Sequence, residues 1–200
     1  MNNKTGSIRI AAVIGSARPN NYTSKALALV VDELRSKDGV EVELFDPKNM
    51  RLALPGTETD DPEVKRLQTS IREATGVILS TPEYHGSYSS VIKLVIENMG
   101  FPSGLSGKPV ALLGVAAGQI GAIKALEHLR SVCSHVGAIV LPGPVSVAGV
   151  QKLFDDQGRC LDEKTETRIR ALGTHLNDYI HTNICPRMAL EAMVREEALT

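Results

Sequence analysis

Short apolar runs alternate with stretches of helical periodicity along almost the whole chain, and this alternation limits the folds it can adopt. Ile8–Ile14 is apolar apart from Arg9 and stops at Gly15-Ser16, as a buried strand would. From Tyr22 to Ser36 the spacing changes: Leu27, Val30, Val31 and Leu34 fall on one helical face. Val40–Phe45 alternates apolar and acidic residues and reads as a strand nearer an edge. Met50–Asp60 reads as a loop, after which Asp61-Pro62-Glu63 has the order of a helix start. Gly76–Ser80, Pro109–Val115 and Gly137–Leu141 supply three further strands. Helical stretches lie over Ser87–Asn98, around Ala122–Cys133 and from about Asp162 onward. Five strands interleaved with five helices imply parallel βαβ units in three layers. Right-handed crossovers leave few topologies, among them a five-stranded parallel sheet of order 2-1-3-4-5. Residues 1–182 are expected to form one domain, with 183–200 as a helical or frayed tail.

Composition narrows the function classes. The 200 residues can bury roughly 70% of their unfolded surface, so no disulfide or metal staple is required. The 22 basic and 23 acidic residues argue against a nucleic-acid binder, as does an aromatic content of 4% without Trp. Cys133, Cys160 and Cys185 are too widely spaced for a dithiol or zinc motif and suit a reducing cytoplasm. No apolar run approaches the ~18 residues of a membrane span, and the N-terminus lacks a secretory pattern.

In open parallel sheets, ligands bind beyond the carboxyl ends of the central strands. After the first strand comes Gly15-Ser16-Ala17-Arg18-Pro19-Asn20-Asn21-Tyr22-Thr23-Ser24, leading straight into a helix. A helix start, hydroxyl donors and the Arg18 fork suit a terminal phosphate, and the same residues would also serve as a capped turn. The loop matches neither G-x-x-x-x-G-K-[ST] nor G-x-G-x-x-G. After the third strand, Ser80-Thr81-Pro82-Glu83-Tyr84-His85-Gly86-Ser87-Tyr88-Ser89-Ser90 could present backbone groups to a planar heterocycle or be a plain surface turn. After the fourth, Gly114-Val-Ala-Ala-Gly118-Gln119-Ile120-Gly121 allows close approach of a ligand, or simply turns. Ser16, Glu83 and His85 do not make a hydrolase pattern, since there is no G-x-S-x-G elbow. His128 and His135 lack a third ligand and read as ordinary helix residues, and no metal site is expected.

In this order and at these strands, G-S-A-R-P-N-N-Y-T, T-P-E-Y-H-G-S-Y-S-S-V-I-K and G-x-x-x-G-x-x-G resemble the NADPH-dependent FMN reductase family over residues 8–150. The resemblance implies a flavodoxin-like three-layer sandwich and non-covalent FMN. It assigns the flavin phosphate to Ser16, Arg18, Asn21, Tyr22 and Thr23. It puts Pro82, Glu83, Tyr84, His85, Gly86 and Ser87 at the polar edge of the isoalloxazine, with Gly118 closing the far side. It also implies a homodimer or homotetramer, with NAD(P)H as co-substrate and a quinone, azo compound, metal oxyanion or free flavin as acceptor. No single catalytic acid or base is assigned. A non-enzymatic FMN-binding electron carrier or regulatory flavoprotein is the alternative, and a phosphate-ester hydrolase on the same scaffold is a third. Two positions depart from the family pattern: no Trp follows Lys93, and His85 stands where Asn is frequent.

Overall fold

The computed structural model describes residues 7–197. The first six residues of the expected domain and the last three of the expected tail therefore lie outside the described residues. In chain order the main elements are β1 (Ile8–Val13), α1 (Tyr22–Arg35), β2 (Val40–Phe45), α2 (Pro62–Glu73) and β3 (Gly76–Tyr84). There follow β4 (Ser87–Tyr88), α3 (Ser90–Glu97), β5 (Pro109–Val115), α4 (Ile123–His135), β6 (Ile139–Val140), β7 (Val145–Val147), α5 (Glu163–Tyr179) and α6 (Cys185–Glu197).

The sheet runs β2-β1-β3-β5-β6, with every one of these pairs parallel. The expected 2-1-3-4-5 order is thus present, with β5 and β6 as the fourth and fifth long-range strands. Strand residues alternate between two cores, as the pleat requires. Ile8, Ile10 and Ala12 face α1 and α5, packing with Leu27, Val30, Leu34, Leu172 and Leu176. Ala11 and Val13 face the other layer, with Leu67, Ile71, Ile92, Leu129 and Cys133. Helices on both sides of a twisted parallel sheet give the three-layer sandwich.

Three elements differ from expectation, each for a local reason. The third strand does not stop at Ser80 but continues to Tyr84, because Thr81 and Pro82 still pair with Gly114 and Val115 of β5. Ser87 and Tyr88 do not open a helix. They form an antiparallel return on Glu83 and Tyr84, and α3 begins only after Ser89 caps it. The fifth strand is split. β6 pairs with Pro109 and Val110, the chain departs at Leu141-Pro142-Gly143-Pro144, and β7 resumes on Leu113–Val115. Neither proline has an N–H to donate to a ladder, which accounts for the gap.

The helix starts follow capping chemistry. Asp61 accepts the Glu63 N–H at 2.8 Å, with Pro62 in the first helical position. Near the C-terminus the chain widens into a π turn over Ile180–Ile184 before α6. Pro186, which has no N–H for the Thr182 carbonyl, lies just beyond it. The described side chains from Pro186 to Arg195 are exposed.

Cys133 is fully buried on the inner face of α4, and burial pushes its thiol up to about 12. Its thiolate is therefore scarce at any ordinary pH, and the thiol is inert in the folded chain. In peptide-mapped alkylation at pH 8, Cys133 is expected to stay unlabelled in native protein and to react fully in denaturant. Labelling of native Cys133 at the rate of the half-buried Cys185 would contradict this packing.

Candidate functional site

The carboxyl ends of β1, β3 and β5 meet at one edge of the sheet, and a lattice of small polar groups joins the first two. Ser80 Oγ donates to the Val13 carbonyl at 2.8 Å and accepts the Gly15 N–H at 3.4 Å. Ser89 Oγ donates to the Gly15 carbonyl at 2.5 Å and also accepts the Ile92 N–H at the start of α3. Thr81 Oγ1 accepts the Ser89 N–H at 3.0 Å. All three hydroxyl residues are buried, and their partners satisfy them. A Cβ on Gly15 would lie 1.9 Å from the Ser80 carbonyl oxygen, so only glycine lets the two strands approach this closely.

From Gly15 the chain turns into α1. Asn21 caps that helix: its Oδ1 accepts the Ser24 N–H at 2.7 Å, while Nδ2 donates to the Arg18 carbonyl at 2.7 Å. Its side chain thus shapes the loop from within. Among the described residues, no acceptor meets the Tyr22 and Thr23 N–H groups. Ser16 and Thr23 are buried beside them, and Arg18 is exposed. The Tyr22 ring turns away, tilting against Phe154 with a centroid separation of 6.5 Å.

The second loop is a tight hairpin. Glu83 pairs with Tyr88 and Tyr84 with Ser87, so His85 and Gly86 are the two turn residues. Both have positive φ, +50° and +74°, as the twist of a two-residue hairpin loop demands. His85 accepts that conformation where asparagine or glycine would be usual. Glu83 does not reach into open space: its Oε2 accepts the Ala125 N–H of α4 at 3.1 Å. Ser87 Oγ lies 3.0 Å from His128 Nδ1.

The third loop passes beside both. Gly118 is exposed, a Cβ on it would meet nothing within 4 Å, and its carbonyl accepts the Gly121 and Gly149 N–H groups. Gly121 is required, since φ is +81° and Ser146 Oγ would lie 2.4 Å from a Cβ. Ser146 Oγ accepts the Ala122 N–H at 2.8 Å. The first and second loops touch directly, because the Arg18 guanidinium lies 4.7 Å above the Tyr84 ring centroid.

The helix starts around this edge divide electrostatically. α2 and α5, farther out, carry acids in their first turns, Glu63 in one and Glu163 and Glu166 in the other. α1, α3 and α4 carry none. The Glu83 carboxylate offsets the positive end of α4, and Ser89 caps α3. The α1 start, with free N–H groups and Arg18 nearby, remains the place for an anion. This donor set fits the phosphate of a mononucleotide. Beside it lie Tyr84 on the hairpin and the exposed Gly118 that follows β5.

No site role for Ser80, Thr81, Ser89 or Ser146 follows from the sequence, although the step from an apolar run to Ser80-Thr81 within one buried strand marks hydroxyls that must be satisfied internally. His128 carries no local signal, because its partner Ser87 is 41 residues away.

The NADPH-dependent FMN reductase family profile matches residues 8–152. The chain is 33% identical over 168 residues to an NAD(P)H-dependent FMN reductase of Pseudomonas aeruginosa, covering 82% of this chain and 90% of that protein. It is 30% identical to a 2-hydroxy-1,4-benzoquinone reductase of a Burkholderia species, covering 86% and 94%. Its fold superposes on the flavoenzyme NAD(P)H:(acceptor) oxidoreductase of Paracoccus denitrificans with a TM-score of 0.72, at 26% identity over 88% of this chain and 98% of that one.

Replacing Gly15 by alanine is expected to lower stability by about 1–3 kcal/mol in urea unfolding, since backbone rather than a flexible side chain must move. An unchanged unfolding midpoint would mean that β1 and β3 are not this close. The family profile spans most of the chain and the site lies at the matched loops: this protein belongs to the NADPH-dependent FMN reductase family.

Proposed function

We propose that the α1 start and the 82–87 hairpin hold one FMN, and that the enzyme passes electrons from NAD(P)H to a small planar acceptor, a quinone before all others. The observation that carries this reading is the contact between the two loops. An anion-receptive helix start and the hairpin of the second loop are joined through Arg18 and Tyr84. The benzoquinone reductase among the relatives supports the choice of acceptor. Bound flavin supplies the hydride-accepting and two-electron chemistry.

The chain's own residues bind and orient. Tyr22 and Thr23 offer backbone N–H groups, Ser16 a hydroxyl and Arg18 a charged fork to the phosphate. The Tyr84–Ser87 backbone faces the polar edge of the ring, where fixed N–H donors stabilise negative charge. Glu83 serves this edge by holding the hairpin on α4, and Asn21 serves the phosphate by shaping its loop. Gly118 leaves one side of the ring open to a flat partner.

Two further features complete the reading. An open groove of about 980 Å³ between α3 and α4 is bordered by Ile96, Phe101, Pro102, Val132 and His135, with Phe101 fully exposed. We assign this face to a second copy of the chain in a homodimer or homotetramer. Among the described residues no helix is long and apolar enough to cross a membrane. The three free thiols support a cytoplasmic setting.

Arg18→Ala removes a charge-assisted contact and is expected to weaken FMN binding about tenfold to a hundredfold. Fluorescence titration of FMN into wild-type and variant protein measures it. Equal affinity in the two would remove Arg18 from the phosphate site.

A further inference from the structure

The hairpin is tied to α4 at two points. On its first strand Glu83 Oε2 accepts the Ala125 N–H, and on its second strand Ser87 Oγ meets His128 Nδ1. Ala125 and His128 are three residues apart, so they share one face of the helix, ~4.5 Å apart along its axis. Between these points the turn passes over Lys124, whose Cδ lies 3.7 Å from where a Gly86 Cβ would sit. Tyr88 packs below, against Ala116, Ala122 and Ala125.

The two ties differ in kind. Glu83 meets a backbone amide that any α4 sequence would provide. Ser87 meets a side chain that must be histidine or a mimic of it. The first strand is the sheet-paired end of β3 and Ser89 anchors the end of the second, so with two residue pairs between them the turn itself is the least supported part. What the turn docks on therefore adds to its placement over the sheet edge.

We propose that His128 is a positioning residue for the flavin site. Acting through Ser87, it fixes the second strand of the hairpin and with it the direction of the Tyr84–Ser87 backbone N–H groups. The inference rests on the reading of this hairpin as the ring-edge loop. Asparagine places an amide near the position of imidazole Nδ1 and can restore the bond, whereas alanine cannot. His128 is exposed on a helix, so neither change disturbs the core.

The test compares wild type, His128→Asn and His128→Ala. In apo protein, amide hydrogen exchange at residues 84–88 is expected to be about threefold to tenfold faster in the alanine variant and close to wild type in the asparagine variant. In FMN-loaded protein, the alanine variant should bind FMN weaker by about the same factor. Its midpoint potential should move toward that of free FMN, and the asparagine variant should restore both. Wild-type exchange, affinity and potential in His128→Ala overturn the proposal, as does an asparagine variant that behaves like alanine. If wild-type protein retains no FMN, the ring-edge reading fails, and the exchange rates still judge the tie itself.

Discussion

Gly15 is gripped on both of its peptide groups, by Ser80 on the N–H and by Ser89 on the carbonyl, with no room for a side chain between β1 and β3. The rest of the site depends on that grip. Two parallel strands normally leave their following loops free to diverge. Here the ends are drawn together by buried hydroxyls, each costly to leave unpaired. Ser89 has a second task, because the same oxygen caps α3. One small group thus fixes where the first loop departs, where the hairpin returns and where the third helix begins. Arg18 and Tyr84 meet because their loops leave from a common point.

Electrostatics then separates roles that geometry alone would leave equal. Three acid-free helix starts converge on the sheet edge. The Glu83 carboxylate occupies one and the Ser89 hydroxyl another, which leaves α1 for an anion. Glu83 thereby takes the α4 start out of competition, so α1 is the helix end left to attract the phosphate in the proposed site. The family's redox chemistry belongs to the cofactor. In the proposed site the protein's task is to orient a flat ring, and the hairpin docked on α4 would do this with backbone groups rather than a catalytic acid or base.

Much of this was legible in the residues. Strands covered on both faces read as continuous apolar runs, and the 3.6-residue spacing in Tyr22–Ser36 and Ala122–Cys133 marked helices α1 and α4. The sheet order followed from right-handed crossovers and the family resemblance. Thr81–Tyr84 does not read as strand from sequence, since its hydroxyl and proline have the composition of a loop. Ser80 is satisfied across the strand pair and Thr81 by the Ser89 N–H beyond the hairpin, partners invisible to a local window. The break in the fifth strand was written in Pro142 and Pro144, but its resumption at Val145 depends on the edge that β5 offers. The resemblance assigned Glu83 to the ring edge, and the structure gives its carboxylate to α4. The resemblance also implies a phosphate role for Asn21, and the structure shows its side chain capping α1 and bonding the Arg18 carbonyl. In both, a partner from another part of the chain or the adjoining helix decided what a polar side chain does.

The central claim is that the α1 start and the hairpin act as one site for one FMN. Amide NMR during an FMN titration tests it most directly. The account predicts that Tyr22 and Thr23 shift together with Tyr84–Ser87 along a single saturation curve at one equivalent. Shifts confined to one of these loops, or centred instead on the Phe101–Ser106 groove, would contradict it.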